Sequence, residues 1–201
     1  MSVKDNTVLL LQTLPQIALP PCALVDFLHF VACDKPAVRT RLENLRSLRQ
    51  VGDWCSTSGL SMAADGDHFI CIARKATIAE RILEIDRKVT AHTYELGRAL
   101  GYPDCCSRFV GKIGEAKIDS LDEKVTHWNF NGIFKLIDPS GYLSGDALIC
   151  HIPCSPNCET SLRLALRALH FIKANQYCTF MARWGKWLEV DIKWKKYLLK
   201  K

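Results

Sequence analysis

Apolar residues recur along this chain at two different periods, and the changes between them mark out most of its elements. Residues 22–31 carry a first amphipathic pattern and predict a helix. A second helix is expected to open at Pro36, a favourable first helical residue, with Val38, Leu42, Leu45 and Leu48 along one face. The period shortens over residues 59–74. There Leu60 and Met62 precede an Ala-Asp-Gly-Asp turn, and alternating bulky residues follow it, the pattern of a β-hairpin. Helical spacing returns from Ala76 to Leu100 through Ile78, Ile82, Ile85, Val89, Tyr94 and Leu96. This fits one long helix or two broken near Thr90, with Gly101 as the stop.

Pro103 and Asp104 are a good N-terminal pair for a short helix carrying Cys105, Cys106, Phe109 and Val110, and Gly111 and Gly114 weaken its continuation. Residues 115–146 read as loop and short helix, with Trp128, Phe130 and Phe134 in core-like spacing and an Asp-Pro-Ser-Gly turn at 138–141. Residues 147–150 are a buried-strand candidate. Ser155 is expected to cap the clearest helix, which turns Leu162, Ala165, Leu166, Leu169, Phe171 and Ile172 inward, and residues 180–192 suggest a final hairpin. The expected fold class is α+β: a mostly helical single domain over 1–201 with a small antiparallel sheet. Its parts are N-terminal helices in 1–58, a cysteine-bearing core in 59–178 and a basic C-terminal segment in 179–201.

Composition narrows the function classes. The 201 residues are 48% hydrophobic and 24% charged, and no apolar run approaches the eighteen or so residues that cross a bilayer. Residues 8–11 are too short an apolar stretch for a secretory signal, so a cytoplasmic protein with reduced thiols and no membrane partner is expected. The net charge of +6 owes much to Lys193, Lys195, Lys196, Lys200 and Lys201, interleaved with Trp194 and Tyr197. Such a tail is a solvated helix or a contact for nucleic acid or an acidic partner.

Ten cysteines then change the picture. Cys22, Cys33, Cys55, Cys71 and Cys178 stand among apolar residues, as small core hydrophobes do. Cys105 and Cys106 lie instead in the first turn of one predicted helix, and Cys154 and Cys158 bracket the start of another, both framed by polar residues. Helix N-termini favour thiolates, and thiolates are the ligating form, so the four sulfurs are the candidate metal ligands. An iron-sulfur cluster, 4Fe-4S among its forms, suits adjacent cysteines whose side chains diverge toward different irons; zinc is the alternative. Without metal, the same cysteines are inert and buried, or form a redox disulfide from Cys105 or Cys106 to Cys154, or supply a nucleophile beside His151.

His151 is the candidate catalytic proton donor, a further ligand, or a hydrogen-bond donor to sulfur. Arg108 is the second candidate catalytic residue; with Arg98 it flanks the Cys-Cys turn and either neutralises a cluster, grips a substrate carboxylate or phosphate, or forms a surface ion pair. His92, near Glu95, is a lesser candidate. Glycine-rich phosphate loops, Ser-His-Asp patterns and paired carboxylates do not stand out.

Two strings carry a resemblance: Leu-Gly-Arg-Ala-Leu-Gly-Tyr-Pro-Asp-Cys-Cys-Ser-Arg-Phe at 96–109 and His-Ile-Pro-Cys-Ser-Pro-Asn-Cys-Glu-Thr-Ser at 151–161. They resemble the two signature segments of the domain of unknown function family numbered 483, over roughly residues 60–175. The resemblance implies that the cysteines belong to one shared site, and it supplies no reaction. The functional expectation is a small metalloenzyme with an unidentified small-molecule substrate. Its alternatives are a zinc-stabilised binding module and a metal-free thiol enzyme.

Overall fold

The computed structural model describes residues 10–14, 17, 19–32 and 34–188. It is mostly helical with one small antiparallel sheet, the expected α+β class. The elements are α1 (Pro21–Val31), β1 (Ala37–Arg41), α2 (Leu45–Thr57), β2 (Ser61–Ala64), β3 (Phe69–Ala73), α3 (Ala76–Asp86), α4 (Val89–Ala99), α5 (Asp104–Ile113), α6 (Ile118–Thr126), α7 (Glu159–Ala174) and α8 (Gly185–Leu188). Among the described residues no helix is long and apolar enough to cross a membrane.

The sheet order is β1-β3-β2, with Val38 opposite Ile72 and Met62 opposite the same residue on the other side. Side chains alternate across a strand, so β3 feeds two cores. Ile70 and Ile72 join the large cluster built around α1 and α7, while Cys71 and Ala73 join Ala37, Ala79, Ile82 and Leu83 under α3. The second face is made of small residues, which lets a helix pack closely on it. The hairpin turn is held by the Asp65 carboxylate, which accepts from the backbone N–H groups of Asp67 and Phe69 at 3.0 and 2.9 Å.

Four expectations need correction. The stretch after Pro36 is strand β1, and helix α2 begins only at Leu45, capped by Asn44. The helical spacing of Val38, Leu42 and Leu45 is coincidental; pairing with β3 decides the conformation. Residues 147–150 are buried as expected but form no strand. Side chains take the place of a ladder there, His29 Nε2 donating to the Leu148 carbonyl and Trp184 Nε1 to that of Ala147, each at 3.0 Å. Residues 180–188 are helical rather than a hairpin, as a 3₁₀ turn at Thr179–Trp184 followed by α8. Finally α7 starts at Glu159 with Cys158 as its N-cap, and Ser155 instead accepts the Cys158 N–H in a preceding turn. Cys33 and the basic residues from Lys193 onward lie outside the described residues.

Helix α1 is buried nearly all round, its polar Asp26 and His29 included. Asp26 is bonded to Lys35, itself fully enclosed, and accepts the Tyr142 hydroxyl at 2.8 Å. The Lys35 ammonium also stands over the Tyr102 ring at 4.6 Å and donates toward Cys150. Burial opposes the Lys35 charge, but attraction to Asp26 outweighs it and the pKa rises.

The break between α3 and α4 falls at Arg87 and Lys88, close to the expected place. Helix α4 then ends in a Schellman motif: the Tyr102 N–H reaches the Gly97 carbonyl at 2.9 Å and the Gly101 N–H that of Arg98 at 3.1 Å. Gly101 has φ +82°, and a Cβ there would stand 2.9 Å from Pro36 Cδ. Gly101→Ala is therefore expected to lower stability by about 2 kcal/mol, roughly 4–8 °C in Tm for a chain of this size. Thermal denaturation within 1 °C of the parent would contradict this account of the turn.

Candidate metal centre

The turn at Gly101 delivers Tyr102 and Pro103 to the start of α5, which places Cys105 and Cys106 in its first turn. Helix α7 enters from the other side with Cys158 at its N-cap, and Cys154 reaches the same point from the turn before it. The four sulfurs lie within 4.8 Å of one another. Cys105 is 3.8 Å from Cys106 and from Cys158, and Cys106 is 3.7 Å from Cys158. Adjacent cysteines were expected to diverge. Here their sulfurs converge instead, because the first turn of α5 directs both side chains toward the incoming α7.

Two helix N-termini meet at this cluster, and their unpaired N–H groups and dipoles favour negative sulfur. Cys158 is the preferred thiolate of the group: its pKa is lowered by a hydrogen bond from the Cys106 thiol and further by the Ser161 hydroxyl and backbone N–H. Cys106 is raised correspondingly, first by its bond to Cys158 and then by burial. Burial and the neighbouring Cys158 push Cys154 up to about 12. Four thiols this close cannot all ionise unaided. A cation among them removes that penalty, and the donor set of four soft sulfurs fits zinc or iron.

Ser161, in the first turn of α7 and completely buried, ties the cluster to its surroundings. Its oxygen is 3.3 Å from both Cys106 and Cys158 sulfurs and 2.8 Å from His151 Nε2. With its hydroxyl donating to Cys158, Ser161 accepts from His151, which places the ring proton on Nε2. The His151 ring packs on Tyr102 at 5.4 Å between centroids. Burial, then the charges of His29 and Lys35, hold the imidazole neutral with a pKa of about 3.

No family model matches the chain, and no curated protein or solved structure matches it.

Of the residues singled out from the sequence, the four cysteines and His151 come together. Arg108 does not join them: its guanidinium bonds Asp104 at 2.7 Å and lies over the Tyr94 ring, exposed on the outer side of α5. Arg98 also approaches Asp104, at 3.5 Å. The arginines flank the motif in sequence, yet their charges are taken up by the residue between them rather than by the sulfurs. His92 meets Glu95 at 3.8 Å, half-exposed, at a kink in α4. The described cysteines are all free thiols, Cys55 and Cys71 buried, Cys22 and Cys178 half-buried.

Ser161, Tyr102 and Lys35 carry parts of the site that sequence reasoning did not assign. Only Ser161 left a signal, three residues after the capping cysteine, where a side chain faces back toward the cap. Beside the cluster, α4, α5 and residues 139–152, with Arg39, Glu115 and Ile118, line a half-open cavity of about 320 Å³ that has Cys106, Ser107, Cys150 and His151 in its wall. Close approach of the two helices at Gly97 shapes it, since a Cβ there would lie 2.7 Å from Ser107 Oγ.

Proposed function

We propose that this protein is a metalloprotein in which Cys105, Cys106, Cys154 and Cys158 hold a single tetrahedral ion, zinc in the first instance. One observation carries the reading. A regular tetrahedron with metal–sulfur arms of about 2.3 Å has edges of about 3.8 Å, and three sulfur–sulfur separations here are 3.7–3.8 Å. A cluster spreads its thiolates over several irons and needs wider spacing, so the edge lengths weigh against the iron-sulfur expectation. Four protein ligands leave no open position, which favours a centre that fixes structure over one that activates substrate directly. His151 then serves the ion through Ser161, orienting a hydroxyl that donates to a ligating sulfur. The likeness of both cysteine segments to family 483 supports treating the four as one site.

Metal content and visible spectrum of protein purified without oxygen, beside the double variant Cys154→Ser/Cys158→Ser, test this. One zinc per chain, colourless and lost in the variant, is the expected result. Iron with sulfide and broad visible absorption would replace zinc by a cluster and return the metalloenzyme to first place. Absence of any metal from both samples would leave thiol chemistry.

A further inference from the structure

The four clustered sulfurs differ in how far solvent reaches them. Cys105 is exposed, Cys154 is half-buried, and Cys106 and Cys158 are buried. An oxidant arriving from solvent therefore meets Cys105 first, and as a metal ligand that cysteine is a thiolate, the form that reacts. Two sulfurs stand 3.8 Å from it, those of Cys106 and Cys158.

The two are not equal partners. Cys105 and Cys106 are joined by a trans peptide within α5, which holds their Cα atoms about 3.8 Å apart, short of the roughly 4.4–6.8 Å that a disulfide spans. Cys158 is under no such restriction. It sits at the N-cap of α7, and closing the gap by about 1.8 Å brings the two sulfurs to bonding distance. We infer that Cys105 and Cys158 are a pair oxidised by hydroperoxides, whose closure into a disulfide ejects the metal ion. The ejection rests on the metal reading above; the closure needs only the two thiolates.

Atoms and electrons balance in two steps. The Cys105 thiolate attacks a peroxide oxygen: an S–O bond forms, the O–O bond breaks, and the hydroxide released takes a proton from solvent. The Cys158 thiolate then attacks the Cys105 sulfur, so that an S–S bond replaces the S–O bond and a second hydroxide leaves as water. Two electrons have passed from the sulfurs to one peroxide. Disulfide sulfur carries no charge, which leaves the ion only the thiolates of Cys106 and Cys154.

Hydrogen peroxide, added without excess to the full-length protein as purified with its metal, is the test. Released metal is read with a chromogenic indicator, and cysteine pairing by peptide mapping under non-reducing conditions. The Cys105–Cys158 bridge is expected to outnumber every other pairing by at least roughly tenfold, with metal lost in step with it and both changes reversed by dithiothreitol and added metal. Cys22→Ser/Cys178→Ser, which removes the two half-buried thiols described outside the cluster, is expected to respond as the parent does. A bridge from Cys105 to Cys106 or Cys154 would overturn the inference, as would a Cys105–Cys158 bridge formed with the metal still held. The two readings fail separately: metal that peroxide does not displace, with the four cysteines still reduced, sinks the oxidised pair alone, and protein purified free of metal that still forms the Cys105–Cys158 bridge sinks the metal centre alone.

Discussion

Cys158→Ser is expected to strip the protein of its metal and to lower Tm by roughly 10 °C, equivalent to about 4 kcal/mol for a chain of this size. The position is chosen because Cys158 does three things at once. It caps α7, touches the sulfurs of Cys105 and Cys106, and accepts from Ser161. Cys158 makes no side-chain capping bond and serine is a good N-cap residue, so the loss measures sulfur and ion rather than the cap. Cys105→Ser, at the exposed corner of the cluster, is expected to weaken metal binding with a smaller fall in Tm. Melting with and without a chelator makes the argument decisive: parent and Cys158→Ser should converge once metal is removed. Persistence of the full difference in chelator would assign it to packing, and a variant that keeps its metal and its Tm would remove Cys158 from the centre.

The second large effect belongs to Asp26 and Lys35. Both are almost wholly buried, and loss of one partner leaves a charge enclosed without compensation. Lys35→Met is therefore expected to destabilise the protein by about 3–5 kcal/mol. The double variant Asp26→Leu/Lys35→Met should recover at least half of that, less the bond left unmade by the Tyr142 hydroxyl. The raised pKa of Lys35 fixes the pH dependence. A raised value adds stability that is complete below the ordinary lysine pKa and is lost only as pH climbs through the higher folded one. The penalty of Lys35→Met should accordingly be level from pH 6 to 9, roughly. Urea denaturation of parent, single and double variants reads it, and a double variant no more stable than the single would dissolve the ion-pair account.

These two regions differ sharply in how far the sequence announces them. The cysteine motifs are legible because chemistry concentrates in a few residues, and Gly101 and Pro103 declare the turn that aims them. The hairpin and helices α3, α4 and α5 are legible for a similar reason, since local periodicity and punctuation agree there. Strand β1 is not, because its apolar residues satisfy both periods and only its distant pairing with β3 selects one. Residues 147–150 show a different limit: a short buried apolar run reads alike as strand or coil, and His29 and Trp184 settle which carbonyl bonds are made. The Asp26–Lys35 pair joins the interior of a helix to the residues after it, and a charged residue inside a helical pattern ordinarily reads as its wet face. The arrangement of Ser161, His151 and Ser107 depends on how α5 and α7 meet, which no local pattern encodes.

The placement of the four sulfurs has a topological result. Two lie before residues 107–153 and two after them, so an ion held by all four closes that span into a ring, as a disulfide would. A backbone cut within it, for example beside exposed Lys124, opens the ring without releasing either piece. The nicked chain stays a two-fragment complex until a chelator lets its halves part.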